Sequence, residues 1–345
     1  MDGKPLRAGM IGAGSSATNI AATMATIPDL NLVAACDKNG DMAKAFAKEH
    51  GCAVVNTIEA LCKEDLDFIV VSTPHGTHAS IVKDCLHAGK HVLVEKPLAT
   101  KVKDGREMID TARELDLKLG VHFQCRFFDA VQEARRAIEG GEIGKILQAS
   151  VSVMWSRDGD YYAKSPWRGT WALEGGGSLI NQAIHPVDEM VYLVGDVKRL
   201  FGFWDHLIHD IEVDDNTAAA FIFENGAFGT IQTSTATKAA FPARLTIFGA
   251  DGGLEIDGNI LTRHHADGTS TRKDFTLQEG GQIGSATDPK KFSLAAHGRM
   301  MADFCNAIRE GREPTVNGEE ALRSLKIVQA VYESNGERAV DLSKL

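Results

Sequence analysis

The chain predicts an α/β half followed by an α+β half, and three observations carry that division. Up to about residue 121, short apolar runs alternate with amphipathic stretches of helical period. Beyond it, strands alternate apolar and polar residues and are punctuated by Asn-Gly and Asp-Gly turns. Gly12-Ala13-Gly14 falls where the first strand bends into a helix. A length of 345 residues suits two domains of about 150 residues each, and the pattern places them at 1–122 and 123–345.

In the first half the apolar runs are Leu6–Ile11, Leu30–Cys36, Phe68–Val71, His91–Val94 and Leu117–Val121. They are nearly continuous, as strands of a parallel sheet covered on both faces must be. Between them Ile81, Val82, Cys85 and Leu86 recur at helical spacing, and Met108, Ile109, Ala112 and Leu115 do so again. Alternating strands and helices make this a doubly wound nucleotide-binding domain.

In the second half Val151, Val153 and Trp155 alternate with polar residues, as in a strand covered on one face. Thr217–Phe223 and Phe228–Thr237 flank Glu224-Asn225-Gly226-Ala227, a hairpin in which Asn-Gly supplies positive φ. Strands follow at Arg244–Gly249, Gly253–Ile256 and Asn259–Arg263, separated by Asp-Gly turns. Two helices close the chain, one carrying Met300, Phe304 and Ile308, the other Leu325, Val328 and Tyr332. The second domain is α+β with a largely antiparallel sheet. Gln278–Lys290, rich in Gly, Ser, Thr and Asp, reads as a mobile loop.

The net charge of −10 argues against nucleic acid and anionic membrane as partners, since both reward basic patches. Six cysteines without a C-x-x-C pair read as reduced thiols. The first strand starts soon after Met1, leaving no room for a targeting segment. No apolar run approaches the ~20 residues of a membrane span, so a cytoplasmic protein is expected.

Gly12-x-Gly14-x-x-Ala17 is a variant of the dinucleotide fingerprint. Its first glycine permits the turn and its second lets the backbone approach a pyrophosphate; alanine serves in the third position where helix and strand pack less closely. Ser15 and Ser16 add hydroxyls at the helix N-terminus, where the dipole favours phosphate. Asp37, directly after the second strand, can accept both adenosine ribose hydroxyls and repel a 2′-phosphate, which selects NAD; Lys38 beside it leaves NADP open. The plainer reading of Asp37 is a cap for the helix that starts near Asn39.

Ser72-Thr73-Pro74-His75-Gly76-Thr77-His78 follows Phe68–Val71. Carboxyl ends of parallel strands face the ligand crevice, so this loop should line the cofactor, with Thr77 also a natural helix cap. His75 and His78 without carboxylate or thiol company read as cofactor or surface contacts, not metal ligands. Glu95-Lys96-Pro97 closes the strand His91–Val94 at the same edge and projects a lysine that can hydrogen-bond a substrate hydroxyl and ease its deprotonation.

A second chemical cluster runs from Gly175-Gly176-Gly177 through Asn181, Gln182 and His185 to Asp188. Ile184, Val187, Val191 and Val194 form a buried stripe, so the segment reads as a helix entered through three glycines. At 100° per residue Asn181, His185 and Asp188 share one face. A histidine there is a general base near neutral pH; Asn181 can hold a substrate hydroxyl and Asp188 can orient the imidazole. The alternative is a satisfied structural histidine. Pro186 leaves the carbonyl of Gln182 without its helical partner and predicts a local bend. Upstream, Trp167-Arg168-Gly169-Thr170-Trp171 offers an arginine for phosphate or carboxylate, or for a surface ion pair. His206-x-x-His209 with Asp205 and Asp210 has metal-like spacing but no complete shell, and reads with Glu212-Val213-Asp214-Asp215 as solvated connection. No metal is expected.

These residues together resemble the glucose–fructose oxidoreductase / inositol dehydrogenase / rhizopine-catabolism (Gfo/Idh/MocA) family. The resemblance rests on the Gly12/Gly14 turn, Ser72-Thr73-Pro74, Glu95-Lys96-Pro97, Gly175–Asp188 and the closing Ala330-Val331-Tyr332-Glu333-Ser334, and covers almost the whole chain. It implies an N-terminal Rossmann domain and a C-terminal domain with a large, open-faced, mainly antiparallel sheet whose outer face makes homodimers or homotetramers. It also implies hydride transfer between nicotinamide and a secondary alcohol or ketone of a sugar, cyclitol or sugar derivative. On that analogy Lys96 assists at the reacting oxygen and His185 accepts the proton. Trp167 and Arg168 cover the cofactor, while Gln124 and Arg126 lie near the nicotinamide, with Arg126 and Gln182 among the substrate contacts. Many members carry Asp where this chain has Asn181; Asn cannot transfer a proton, which leaves that role to His185 with Lys96.

The expected function is therefore an NAD-dependent dehydrogenase acting on CH–OH donors. An NAD-using glycoside hydrolase, cleaving through transient oxidation, and a redox-silent NAD(H) sensor remain open alternatives. The ribose argument is tested at Asp37: Asp37→Ala should weaken NAD more than NADP in calorimetric titrations, and an unchanged cofactor ratio would refute it.

Overall fold

The computed structural model describes residues 4–278 and 294–345; all but the first residue of the expected loop Gln278–Lys290 lies outside the described residues. The chain divides into two compact units, 1–123 with 297–322, and 124–296 with 323–345.

The first unit runs β1 (Leu6–Ile11), α1 (Ser15–Met24), β2 (Leu30–Cys36), α2 (Gly40–His50), β3 (Ala53–Val54), α3 (Ile58–Cys62), β4 (Phe68–Val71), α4 (His78–His87), β5 (His91–Glu95), α5 (Val102–Glu114) and β6 (Leu119–His122). Its six strands are parallel, in the order β3-β2-β1-β4-β5-β6. The chain winds outward from β1 to β3 and returns beside β1 as β4, which opens a crevice at the carboxyl ends of those two strands. All of Phe68–Val71 and Val92–Val94 is buried, the reason these runs contain no polar alternation. β6 starts two residues later than the apolar run Leu117–Val121, because Leu117 N–H is spent on the Ala112 carbonyl that ends α5.

Assigning everything after residue 122 to one domain needs correction. Residues 297–322 group with the first unit. They bring the Asn317 backbone to the edge of β6, where it bridges Gly120, and Val121 N–H donates to the Val316 carbonyl. Phe304 meets Phe68 edge-on at 5.4 Å, and a Cβ on Gly120 would lie 2.6 Å from the Phe304 ring. An exposed sheet edge leaves backbone groups unpaired; here a segment nearly two hundred residues later covers it.

The second unit contains α6 (Asp129–Glu139), β7 (Ile146–Met154), α7 (Gly159–Ala163), α8 (Ile184–Val194), β8 (Val197–Asp205), β9 (Asn216–Phe223), β10 (Phe228–Ser234), β11 (Arg244–Gly249), β12 (Gly252–Asp257), β13 (Ile260–His265) and β14 (Ser270–Asp274). After helices α9 (Leu294–Glu310) and α10 (Gly318–Ser334), which both units share, it ends in β15 (Val340–Asp341). The nine-stranded sheet has the order β14-β13-β12-β11-β7-β10-β9-β8-β15 and is antiparallel except where β7 and β10 run parallel. The Asn225-Gly226 hairpin forms as expected, with Ile222 opposite Phe228 and Gly226 at φ 87°. Val151, Val153, Phe221, Ile231 and Leu245 face inward and are buried, and α8 packs against β7 on that side. β8, β14 and β15 carry no clear apolar pattern and escape a reading of the sequence. No helix among the described residues is long and apolar enough to cross a membrane.

Candidate active site

In the first unit the predicted cofactor residues gather at the carboxyl edge of the sheet. Gly12 has φ 99°, and a Cβ there would lie 2.1 Å from the Ser72 carbonyl oxygen, so the loops after β1 and β4 touch through a glycine. Gly14 differs. Its φ of −79° would admit any residue, and apart from its chain neighbours nothing lies within 4 Å of a Cβ built on it. It precedes α1, whose N-terminus has no side-chain cap. An open cradle at an uncapped helix N-terminus suits a pyrophosphate, and Gly12, Gly14 and Ser15 fit that group, while Ala17 is 0% exposed and packs α1 against the sheet.

Asp37 accepts from the Ala13 amide at 2.8 Å and the Asn39 amide at 2.7 Å, locking the glycine turn to the tip of β2. Asn39 itself caps α2, accepting from Asp41 and Met42, so the plainer reading of Asp37 falls away. Lys38 is exposed beside it. The hydroxyl of Ser16 donates to Glu95 at 2.8 Å and the Glu95 carboxylate also accepts from Lys96 N–H, which ties the start of α1 to the loop that presents Lys96. Ser16 is therefore a loop tie as well as a candidate phosphate contact.

His78 is fully buried, with Nδ1 2.9 Å from the Pro97 carbonyl and Nε2 2.9 Å from the Thr73 carbonyl. This corrects its assignment to the cofactor: both ring nitrogens are spent joining the Ser72–Pro74 loop to the Lys96–Pro97 loop. Burial pushes its pKa down. Thr77 caps no helix but bonds Thr73 and the Pro74 carbonyl. His75 is buried nearby, its ring 5.8 Å from that of His78. His122, which the sequence did not single out, faces Glu95 at 3.4 Å and is pushed down to about 3, by burial first and the Lys96 charge second.

In the second unit the segment after the three glycines is not one continuous helix. Ser178–Gln182 form a single π-helical turn and α8 begins at Ile184. Pro186 then falls in the first turn of α8, where its missing N–H costs little. The common face expected of Asn181, His185 and Asp188 is lost for a second reason. Asp188 holds Arg126 through two hydrogen bonds of 2.6 and 2.8 Å, both side chains 1% exposed. Arg126, expected at the substrate, is a buried structural cation stacked over Tyr192. Gln124 is half-buried in the same helical turn.

Asp214 builds the turn that carries Asn181. Its carboxylate accepts from Gly177 N–H (2.7 Å), Leu179 N–H (2.9 Å), Ser178 Oγ (2.6 Å), Thr217 Oγ1 (3.0 Å) and Tyr332 Oη (2.8 Å). Burial pushes this carboxyl up, and the Ser178, Gly177, Tyr332 and Leu179 donors pull against it. The adjacent Asp215 accepts from the amides of Leu207, Ile208 and His209 and from His209 Nδ1, while His209 Nε2 meets the Arg157 carbonyl. The reading as solvated connection holds for Glu212, which is exposed, and is overturned for Asp214, Asp215 and His209: both aspartates are 0% exposed and each accepts from a cluster of N–H groups. Among the described residues no three His, Cys, Asp or Glu side chains gather to hold a metal.

Residues missed in the sequence complete this site. Tyr161 Oη accepts from Gln182 Nε2 at 2.8 Å and lies 3.4 Å from Asn181 Nδ2. Arg157 donates to Gln182 Oε1 at 2.7 Å. Arg168 stacks on the Tyr161 ring at 3.9 Å and donates to the Tyr161 carbonyl, with Trp167 half-buried beside it. Glu174 bonds both Asn181 and the Gly169 amide. Tyr161-Tyr162 and the glutamate before the three glycines were the available signals. Asp214→Ala should cost about 3–5 kcal/mol of stability, the scale for stranding buried partners, seen as a lowered Tm in thermal unfolding; a Tm within a degree of the parent would refute its role.

Residues 6–123 match the oxidoreductase family with an NAD-binding Rossmann fold, and residues 131–255 match the GFO/IDH/MocA C-terminal domain. D-glucoside 3-dehydrogenase of Escherichia coli (strain K12) is 32% identical over 68% of this chain and 72% of its own. Myo-inositol 2-dehydrogenase of Thermotoga maritima is 27% identical over 99% of both. The crystal structure of the WlbA dehydrogenase from Bordetella pertussis in complex with NADH and UDP-GlcNAcA is 28% identical, covers 99% of this chain and 98% of that one, and superposes with a TM-score of 0.86. A parallel six-stranded unit with a glycine cradle, a second unit built on a mainly antiparallel nine-stranded sheet, and these two matched segments establish that the chain belongs to the Gfo/Idh/MocA family of oxidoreductases.

Proposed function

We propose that this oxidoreductase is an NAD-dependent dehydrogenase of a secondary hydroxyl on a sugar, cyclitol or glycoside. One observation carries the reading: from Glu174 to Val191 every residue is buried except His185, which is half-exposed. A histidine singled out in this way, next to a turn that fixes Asn181 and Gln182, suits a proton acceptor. The two relatives named above, dehydrogenases of a D-glucoside and of myo-inositol, support the substrate class.

Bound NAD supplies the hydride acceptor. His185 takes the hydroxyl proton, Lys96 donates a hydrogen bond to the reacting oxygen, and Asn181 and Gln182 orient the substrate. Gly12, Gly14, Ser15 and Ser16 would hold the pyrophosphate, with buried Ala17 packing α1 against the sheet, and Asp37 would hold the ribose. Ser72, Thr73, Pro74, His75, Glu95, Gln124, Trp167 and Arg168 line the cofactor. Arg126 and His78 leave the list of contacts for the reasons given above. Asp37 favours NAD over NADP, and the six cysteines, all free, suit the cytoplasm.

The large sheet exposes Phe228 and Phe248 at a concavity of about 700 Å³ lined in part by Gln148, Ser150 and Phe201, with exposed Phe203 meeting the Phe201 ring edge-on at 5.2 Å. Apolar surface of this kind marks an interface, and its occupant is a second copy of the chain. Phe228→Asp with Phe248→Asp should lower the mass measured by sedimentation; an unchanged assembly would reject this face.

The function is tested by following NADH absorbance across polyols, free sugars, glycosides and nucleotide sugars. Growth of NADH with one class supports the proposal. Free sugar released from a glycoside without NADH would mean hydrolysis instead. On the substrate so found, Lys96→Met and His185→Ala should each lower kcat about 100-fold or more with NAD affinity retained by calorimetry; near-normal turnover in either would remove that residue's role.

A further inference from the structure

In the first unit α3 packs against β2 and α4. Cys62 is the last residue of α3, and Cys85 lies on the buried face of α4 with Val82 and Leu86. Their sulfurs are 3.9 Å apart, about 2 Å more than an S–S bond. Turns of about 30° at χ1 on both side chains span a gap of that size. Cys62 is 9% exposed and Cys85 0%, so a small reagent from solvent meets Cys62 first.

Buried thiols ordinarily act as small apolar side chains. Here each sulfur faces the other, and a cation is anchored beside them. Lys90 Nζ donates to the Glu64 and Leu66 carbonyls, each at 2.9 Å, which fixes a positive charge at the turn that follows Cys62. Once Cys62 ionises, the Cys85 S–H is the donor that holds its charge.

The pair is therefore unequal. A thiolate, not a thiol, is the nucleophile. The Cys85 hydrogen bond first, and the Lys90 charge with it, hold Cys62 below the usual thiol range against burial and the Asp84 carboxylate. Cys85 is pushed up by its bond to Cys62 and by burial. Burial also raises Cys36 and Cys52, and Asp37 and Cys62 raise Cys36 further.

We propose that Cys62 and Cys85 are a dithiol that hydroperoxides oxidise to a disulfide, with Cys62 as the attacking sulfur and Cys85 as the resolving one. Cys62 loses its proton and attacks one peroxide oxygen. The O–O bond breaks, hydroxide leaves and takes up that proton as water, and Cys62 becomes a sulfenic acid. The Cys85 sulfur then attacks the Cys62 sulfur. The S–O bond breaks, and the Cys85 proton leaves with the hydroxide as a second water. The two thiols have given up two electrons and two protons, and hydrogen peroxide has been reduced to two waters. Exchange with a small dithiol reverses the step. The new bond joins the helix packed on β2, whose end carries Asp37, to the helix that begins at His78.

The experiment uses the full-length reduced protein and needs no substrate. After hydrogen peroxide, alkylation in denaturant and digestion, mass spectrometry should find Cys62 joined to Cys85 and the other cysteines alkylated. Dithiothreitol should then return all six free thiols. In Cys85→Ser the sulfenic acid has no resolving thiol, so dimedone should label Cys62; in Cys62→Ser, Cys85 should remain a thiol. Absence of the Cys62–Cys85 bond overturns the proposal. So does oxidation of the half-exposed Cys52 ahead of the pair, which would mean that exposure alone decides. An unlabelled Cys62 in Cys85→Ser, or an oxidised Cys85 in Cys62→Ser, overturns the assignment of roles. Should either variant fail to fold, the peptide map of the parent decides.

Discussion

The Asp214 carboxylate, closed off from water, can exist there only if donors surround it, and the second unit is arranged to supply them. Five converge, from Gly177, Ser178, Leu179, Thr217 and Tyr332. Satisfying one charge thus joins the π-helical turn, the start of β9 and the end of α10. It also explains the glycines. A Cβ on Gly177 would stand 2.0 Å from the Asp214 carbonyl oxygen, and one on Gly176 2.1 Å from the Tyr332 hydroxyl. Gly176 and Gly177 answer to a buried phenol and a backbone carbonyl that approach them closely, and Gly175 to a positive φ of 77°. Asn181, Gln182 and His185 inherit their positions from that packing.

The first unit follows the same logic at its carboxyl edge. Asp37, Glu95 and His78 each take backbone or side-chain partners from two different loops. A polar group that bridges two loops fixes both, and a fixed edge is what a preorganised site requires. The two glycines of the fingerprint separate into two kinds. Gly12 answers to a neighbouring strand, whereas the space at Gly14 is left for a ligand.

Residue type alone misjudged several charges. Arg126, Asp188, Asp214, Asp215 and His209 have the chemistry of a site, yet each is engaged with another part of its own unit. For Arg126, Asp188 and Asp214 the spacing along the chain carries no trace of this, because partners lie tens to more than a hundred residues away: Arg126 and Asp188 are separated by 62 positions, Tyr332 and Asp214 by 118. Tyr161 and Glu174, in contrast, lie within 25 residues of Asn181 and were passed over because a tyrosine pair and a lone glutamate fit no spacing rule.

The sequence by itself determined the alternation of strands and helices in the first unit, the Asn225-Gly226 hairpin and the carboxyl-edge motifs around Gly12, Asp37, Ser72 and Lys96. Local periodicity and turn chemistry are properties of neighbouring residues, and those are written in order along the chain. Tertiary structure alone decided that residues 297–322 return to close β6, that the helix after Gly177 opens with a π turn, and that Asp188 serves Arg126. Each of these is a pairing demand made by a buried backbone or charged group, and such a demand is met by whichever partner folding brings near, at no fixed distance in sequence.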